Sequence, residues 1–229
     1  MDLRDYLFYE DEFVTLYNGD CHRVLPLLEM NGVVITDPPY NARKNYGRYT
    51  NDQRAWSDWC AWFDDVLRSC ALVADDIFSF LSQTAWKHYA RLGQHEIDWT
   101  LCWSKPLSLS VCAMPLMPHW EPIAYWGLTR KRNKVFWGSD VLTHNVTANK
   151  YGHPTEKPVS LIYELVGKFK SPIIDPFVGS GTTLHVCKRL GRQAVGIEIN
   201  PLYCQIAANR IRREATLPLF ESVQLEVSV

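Results

Sequence analysis

At 229 residues, with 47% hydrophobic and 21% charged residues, the chain is long enough to bury one substantial core and too ordinary in composition to be disordered or fibrous. No apolar run reaches the length of a membrane crossing, and the acidic opening Met1-Asp2-Leu3-Arg4-Asp5 lacks the order of a signal peptide, so a cytoplasmic protein with no membrane partner is expected. A net charge of -1 makes no global case for a polyanionic partner, and seven scattered cysteines without a Cys-x-x-Cys pair argue against a disulfide framework or a metal centre.

In chain order, residues 13–17 read as a strand, followed by a short helix from Cys21 that Pro26 perturbs. Residues 33–36 are a continuous apolar-plus-Thr run, the pattern of a strand buried on both faces. Residues 41–54 are polar and irregular. Trp56, Trp59, Phe63, Val66, Leu67 and Cys70 then fall at helical spacing. Asp58, Asp64, Asp65, Asp75 and Asp76 read as an acidic group in that helical segment. Positive charge gathers at Arg43, Lys44, Arg48 and Arg54, and again at Arg130, Lys131, Arg132, Lys134 and Lys150, so a neutral total can hide a basic face.

Residues 77–81 read as a strand, 84–92 as a helix stopped by Gly93, and 97–103 and 122–126 as further strands. Loop-like stretches at 104–119 and 129–152 flank the second of these. The last third alternates clearly: an amphipathic helix over 158–169, a strand over 172–175, a glycine-rich turn, a helix over 182–190, a strand over 193–197, and a helix over 201–213 with proline in its first turn. This alternation predicts a single α/β domain over 1–229, a doubly wound and mainly parallel sheet. Ligands in such sheets bind beyond the carboxyl ends of strands, near the switch in strand order.

Three constellations follow predicted strands. Asp37-Pro38-Pro39-Tyr40-Asn41 combines two prolines that fix an extended backbone with an acid and an aromatic ring. An amino group on a planar base offers two N–H donors and a flat face. Asp37 can accept one hydrogen, the Pro38 carbonyl the other, and Tyr40 can stack on the ring. A capped proline turn is the plainer reading of an Asp-Pro pair alone. Asp175-Pro176-Phe177-Val178-Gly179-Ser180-Gly181-Thr182-Thr183 is a glycine-rich turn opening a helix, where backbone can approach a ligand closely. It has no Gly-Lys-Ser/Thr and so is not a P-loop, and it lacks the third glycine of a dinucleotide turn. Glu198, at the end of the next strand, is placed to accept hydrogen bonds from ribose hydroxyls, in NAD or S-adenosylmethionine alike; a helix cap is the plainer reading.

Together, and in this order, these segments resemble the circularly permuted β-class of N6-adenine and N4-cytosine DNA amino-methyltransferases. Asn18-Gly19-Asp20-Cys21, Trp103-Ser104-Lys105-Pro106, Glu121-Pro122-Ile123 and His153-Pro154-Thr155-Glu156-Lys157-Pro158 match further family segments, so the resemblance runs from about Val14 to Arg213. It implies a Rossmann-like fold with helices on both faces, the catalytic motif preceding the cofactor motif, and S-adenosylmethionine as cofactor. Asp37, Pro38, Pro39 and Tyr40 would form the catalytic loop. Phe177, Gly179, Gly181, Thr182 and Thr183 would line the methionine and sugar, with Asp175, Ser180 and Asn200 in the same set. Glu198 would meet the ribose, Asp20 the adenine, and Thr155 and Lys157 the methionine carboxylate.

The resemblance also implies direct methyl transfer to a base flipped out of double-stranded DNA, with adenine N6 the expected target and a restriction-modification setting. Arg43, Lys44 and Arg48 are candidates for phosphates, and Arg130, Lys131, Arg132 and Lys134 for target recognition or phosphates; a solvated charged loop is the plainer reading of both clusters. No large recognition insert is present, which leaves 41–54, 104–119 and 129–152 as candidate DNA-contacting segments and a homodimer open. N4-cytosine enzymes usually carry Ser where Asp37 stands, and cytosine N4 is the closest rival target. Methylation of RNA adenine or of a protein amide, a non-catalytic DNA-binding relative and an NAD oxidoreductase are more distant rivals.

Overall fold

The computed structural model describes residues 2–43, 52–106, 119–127, 138–146 and 156–214. The predicted strand at 33–36 becomes β3 (Gly32–Thr36), buried at every position as a continuous apolar run requires. Its neighbours are β8 (Ile173–Asp175) and β4 (Ala74–Phe80), both parallel to it. Beyond β8 lie β9 (Ala194–Glu198), β2 (Val14–Asn18) and β1 (Leu7–Glu10). Beyond β4 lie β6 (Trp120–Gly127), β5 (Trp99–Ser104) and β7 (Val141–Thr143). Among the described residues the sheet has nine strands, of which β1 and β6 run against the rest.

Alternation along β3 divides the core. Val33 and Ile35 point to one side with α4 (Val159–Gly167), α5 (Thr182–Arg189) and α6 (Pro201–Glu214). Val34 points to the other, with α1 (Cys21–Val24), α2 (Trp56–Cys70) and α3 (Gln83–Leu92). The expected Rossmann-like fold with helices on both faces is therefore present. On the α2 side Phe63 is fully buried, stacked on Trp59 at 5.2 Å and edge-on to Tyr89 and Trp126. A side chain buried to that extent contributes ~1.5–3 kcal/mol.

The chain leaves β3 toward β4 on one side and β8 toward β9 on the other, so the strand order switches between β3 and β8. Asp37 and Asp175 stand at those two carboxyl ends. Thr36 Oγ1 donates to Asp175 Oδ1 at 3.0 Å and ties the two strands together there.

The sheet corrects three expectations. The acidic group is not one helical face: Asp75 and Asp76 belong to β4, and Asp64 is buried, accepting from Tyr89 Oη at 2.5 Å and from the Gln94 backbone. The stretch 129–152 is not all loop, because β7 extends the sheet from β5. Strand β1 pairs antiparallel with β2 where the sequence pattern predicts no strand; its half-exposed edge lacks the apolar run that marks a central strand.

Candidate active site

A cavity of about 220 Å³ opens at the carboxyl ends of β3, β8 and β9. Asp20, Asp37, Pro38, Pro39, Tyr40, Lys157, Asp175, Phe177, Gly179, Ser180, Thr182, Thr183, Glu198 and Asn200 all line it. Asp20 and Asn200, 180 positions apart in the chain, thus line one cavity, and beside it Asn18 Nδ2 donates to the Glu198 carbonyl at 2.8 Å.

The wall from β8 and β9 is held by backbone. Glu198 is buried, and its Oε2 accepts from Gly179 N at 2.9 Å while Oε1 accepts from Asn200 N at 2.8 Å. Burial pushes its carboxyl up to about 7, against the pull of those two amides. Asp175 is likewise pushed to about 6 by burial, while Thr183, Phe177 N and Thr36 donate to it and the nearby Asp37 raises it further. Asp20 caps α1, accepting from His22 N at 3.0 Å.

Gly181 stands apart from the other predicted cofactor residues. It does not line the cavity; its φ is +83°, and a Cβ there would meet Ala207 Cβ at 2.8 Å. Its smallness serves the packing of α5 on α6. Gly196 does the same between strand and helix, where a Cβ would meet Val178 and Leu184 side chains within 2.6 Å. The close helix–strand approach served by the third glycine of a dinucleotide turn is met from the strand.

The wall from β3 is held by side chains. Trp59 Nε1 donates to the Pro39 carbonyl at 2.9 Å, leaving the proline pair rigidly seated on α2. The Asn41 side chain grips the Arg54 backbone, accepting from its N at 2.7 Å and donating to its carbonyl at 2.9 Å. The Asp52 carboxylate accepts from Asn41 N and Ala42 N. Tyr40 Oη donates to Asp37 Oδ1, and Lys157 Nζ donates to Asp37 Oδ2 at 2.5 Å and to Tyr40 Oη at 2.9 Å.

Arg43 is exposed, at φ +58°, with its N–H on the Asp52 carbonyl and outside the cavity lining. Thr155, Lys44, Arg48, Arg130, Lys131, Arg132 and Lys134 lie outside the described residues. Several lining residues escape sequence reasoning: Trp62, Phe80, Arg54, Glu156 and Tyr203. Trp62 sits edge-on to Phe177 at 5.8 Å and carries the Arg54 guanidinium 5.0 Å above its ring. Trp62 lies in α2 but outside the apolar spacing of Trp56, Trp59, Phe63, Val66, Leu67 and Cys70, so no sequence signal marks it. Arg210, a residue of α6, escapes it too; its buried guanidinium donates to Glu156 Oε1 at 2.7 Å and Thr182 Oγ1 at 2.9 Å.

Among the described residues, Asp20, Cys21 and His22 bring potential metal-ligand atoms within 4.8 Å of one another. Asp20 is engaged as a cap, and burial pushes the Cys21 thiol up to about 12, so these atoms serve the fold.

The DNA methylase family of N6 and N4 amino-methyltransferases matches residues 120–209. The type II methyltransferase M.HpaI of Haemophilus parainfluenzae is 28% identical over 229 residues, covering 84% of this chain and 72% of the relative. Over residues 120–209 the chain is thus similar to the N6/N4 DNA methylases. Its fold is shared with the PvuII cytosine-N4-specific DNA methyltransferase, at a TM-score of 0.69 and 15% identity over 88% of this chain and 87% of the other. It is also shared with M1.HpyAVI in its complex with S-adenosylmethionine, at a TM-score of 0.62 and 20% identity over 87% of this chain and 99% of the other. The Asp37 loop lies outside the span of the family match, yet it closes the same cavity as the matched segments.

Proposed function

We propose that this chain transfers the methyl group of S-adenosylmethionine to adenine N6 on a base flipped from double-stranded DNA. The observation that carries this reading is the convergence of the Asp37 loop and the Glu198 wall on one cavity at the switch point.

The donor set fits the cofactor. Glu198 and Asp20 offer carboxylates for the sugar and adenine, and Phe177 and Trp62 offer apolar faces. Glu156 Oε2 is a buried acceptor with no hydrogen-bond partner among the described residues, in a residue that lines the cavity. A buried unpaired carboxylate oxygen costs ~1–3 kcal/mol or more, and an ammonium group such as that of a methionine moiety would satisfy it. When bound, S-adenosylmethionine supplies a methyl group on a sulfonium, already activated for displacement.

The chain's own residues then have to present a nucleophile. The lone pair of an aromatic amino group is delocalised into the ring. Asp37 and the Pro38 carbonyl accept its two hydrogens, localise the lone pair and aim it. Each oxygen of Asp37 holds one donor already, from Tyr40 and Lys157, and retains a further lone pair for the substrate. Tyr40 presents its ring to the flipped base, where stacking is worth ~1–3 kcal/mol. Arg43, exposed beside the loop, is assigned to a backbone phosphate. The Arg130–Lys134 cluster is assigned to recognition of the target.

Adenine is favoured over cytosine by Asp at the first position of the loop. Transfer to cytosine N4 is the second reading, suggested by the fold shared with a cytosine-N4-specific enzyme. Incubation with labelled cofactor and varied duplexes, followed by mass spectrometry of the nucleosides, decides between them. N6-methyladenine is expected; N4-methylcytosine alone would establish the second reading, and no methylated nucleoside from any duplex would sink both.

A further inference from the structure

Family resemblance puts Lys157 at the methionine carboxylate, and its surroundings point elsewhere. The residue is 7% exposed and its Nζ lies 5.2 Å from the ring centroids of both Tyr40 and Phe80. A buried ammonium requires a carboxylate and further acceptors, and both are present: Asp37 Oδ2 at 2.5 Å and Tyr40 Oη at 2.9 Å. The backbone that carries it is fixed on either side. Glu156 is locked by the buried Arg210 at 2.7 Å, and Pro158 caps the start of α4.

From this geometry we infer that Lys157 is a positioning residue of the catalytic loop, holding the Asp37 carboxylate and the Tyr40 hydroxyl in one fixed triangle. The inference rests on the methyl-transfer reading. Asp37 must hold its oxygens where the amino hydrogens arrive. A carboxylate on a short side chain rotates about χ2 unless its oxygens are tied. Tyr40 ties Oδ1 and Lys157 ties Oδ2. Lys157 also holds Tyr40 Oη, so one ammonium sets both the acceptor and the stacking ring. Its donors come from the segment that leads into α4, so the substrate loop is aligned against the cofactor half of the chain rather than against its own strand.

The test separates this role from cofactor binding. In Lys157→Met, single-turnover methyl transfer at saturating cofactor should fall tenfold or more, on the order expected for a lost pre-organising contact. Cofactor affinity measured by calorimetry should stay within about twofold, since no cofactor contact is removed. Lys157→Arg, which can still donate to both partners, should recover part of the rate. If Lys157→Met melts, Lys157→Gln is read by the same two assays, with the same expectation. A variant that transfers at the parent rate once cofactor is saturating, with cofactor affinity lowered instead, overturns the inference and returns Lys157 to the methionine carboxylate. Failure of the parent protein to methylate any DNA would overturn the functional reading itself, which is a different result.

Discussion

The two walls of the cavity are built on different principles. On the β8–β9 side, Glu198 is fixed by main-chain amides of a turn whose shape is set by packing, with Gly181 pressed on Ala207 and Gly196 on Val178. On the β3 side, Asp37 is fixed by the side chains of Tyr40 and Lys157, and the loop beyond it by the side chains of Asn41 and Asp52. The first wall is inseparable from the fold and carries buried acids whose carboxyls are pushed upward. The second is a set of removable contacts on a partly exposed loop. A common cofactor suits a rigid wall, and a base that must be captured from a duplex suits a wall whose alignment depends on side chains.

The largest expected effect tests the second wall. Asp37→Ala should lower single-turnover methyl transfer on the order of a hundredfold or more, because it removes an acceptor needed as the amino nitrogen becomes tetrahedral. Cofactor affinity, measured by calorimetry, should stay close to that of the parent, whereas the melting temperature should fall because the buried Lys157 ammonium loses its carboxylate. A parent-like transfer rate in this variant would show that the loop does not activate the amino group.

Gly181→Ala tests the first wall and should differ in its effect on cofactor affinity. The new methyl group enters a left-handed position and meets Ala207 at 2.8 Å. Strain and overpacking together should cost ~1–3 kcal/mol of stability. Cofactor affinity should fall with it, because the same turn presents Gly179 N to Glu198. A variant that melts like the parent and binds cofactor normally would separate the turn from the fold and remove the contrast between the walls.

Sequence reasoning finds the two walls unevenly, for physical reasons. The strands ending at Asp37, Asp175 and Glu198 are legible because central strands are continuous apolar runs and each is followed by its motif. The edge strands β1 and β7 are not, since an edge needs neither a run nor strict alternation. Gly181 reads as a ligand residue because a glycine in a turn signals close approach without naming what approaches. Arg210 gives no local signal at all: a lone arginine on the last helix reads as surface, and only the fold buries it against Glu156 and Thr182. Lys157 is visible in its motif, but its partner 120 residues away depends on the permuted order bringing two loops to one switch point.

The smallest effect expected is a pH dependence confined to the first wall. In the free protein the Glu198 carboxyl is pushed up to about 7 by burial. Ionising it therefore opposes folding. Its contribution to stability is present below the ordinary carboxylate range and lost as pH rises through about 7. Ribose hydroxyls donating to Glu198 would favour the ionised form, so cofactor binding should release a proton below that pH. Affinity should then strengthen by about tenfold from about pH 6 to about pH 8 and level off above, the span set by one linked proton. The free protein's melting temperature should drift the other way over the same window, which separates binding from general acid damage. Asp175, pushed to about 6, titrates nearby, and Glu198→Gln isolates the two because Asp175 is unchanged in it. Calorimetry in buffers of different ionisation enthalpy reads both the affinity and the proton count. In Glu198→Gln the slope should vanish and the affinity should be low at every pH. A parent protein with flat affinity across the window, or a Gln variant that keeps the slope, would mean that the sugar does not meet this carboxylate.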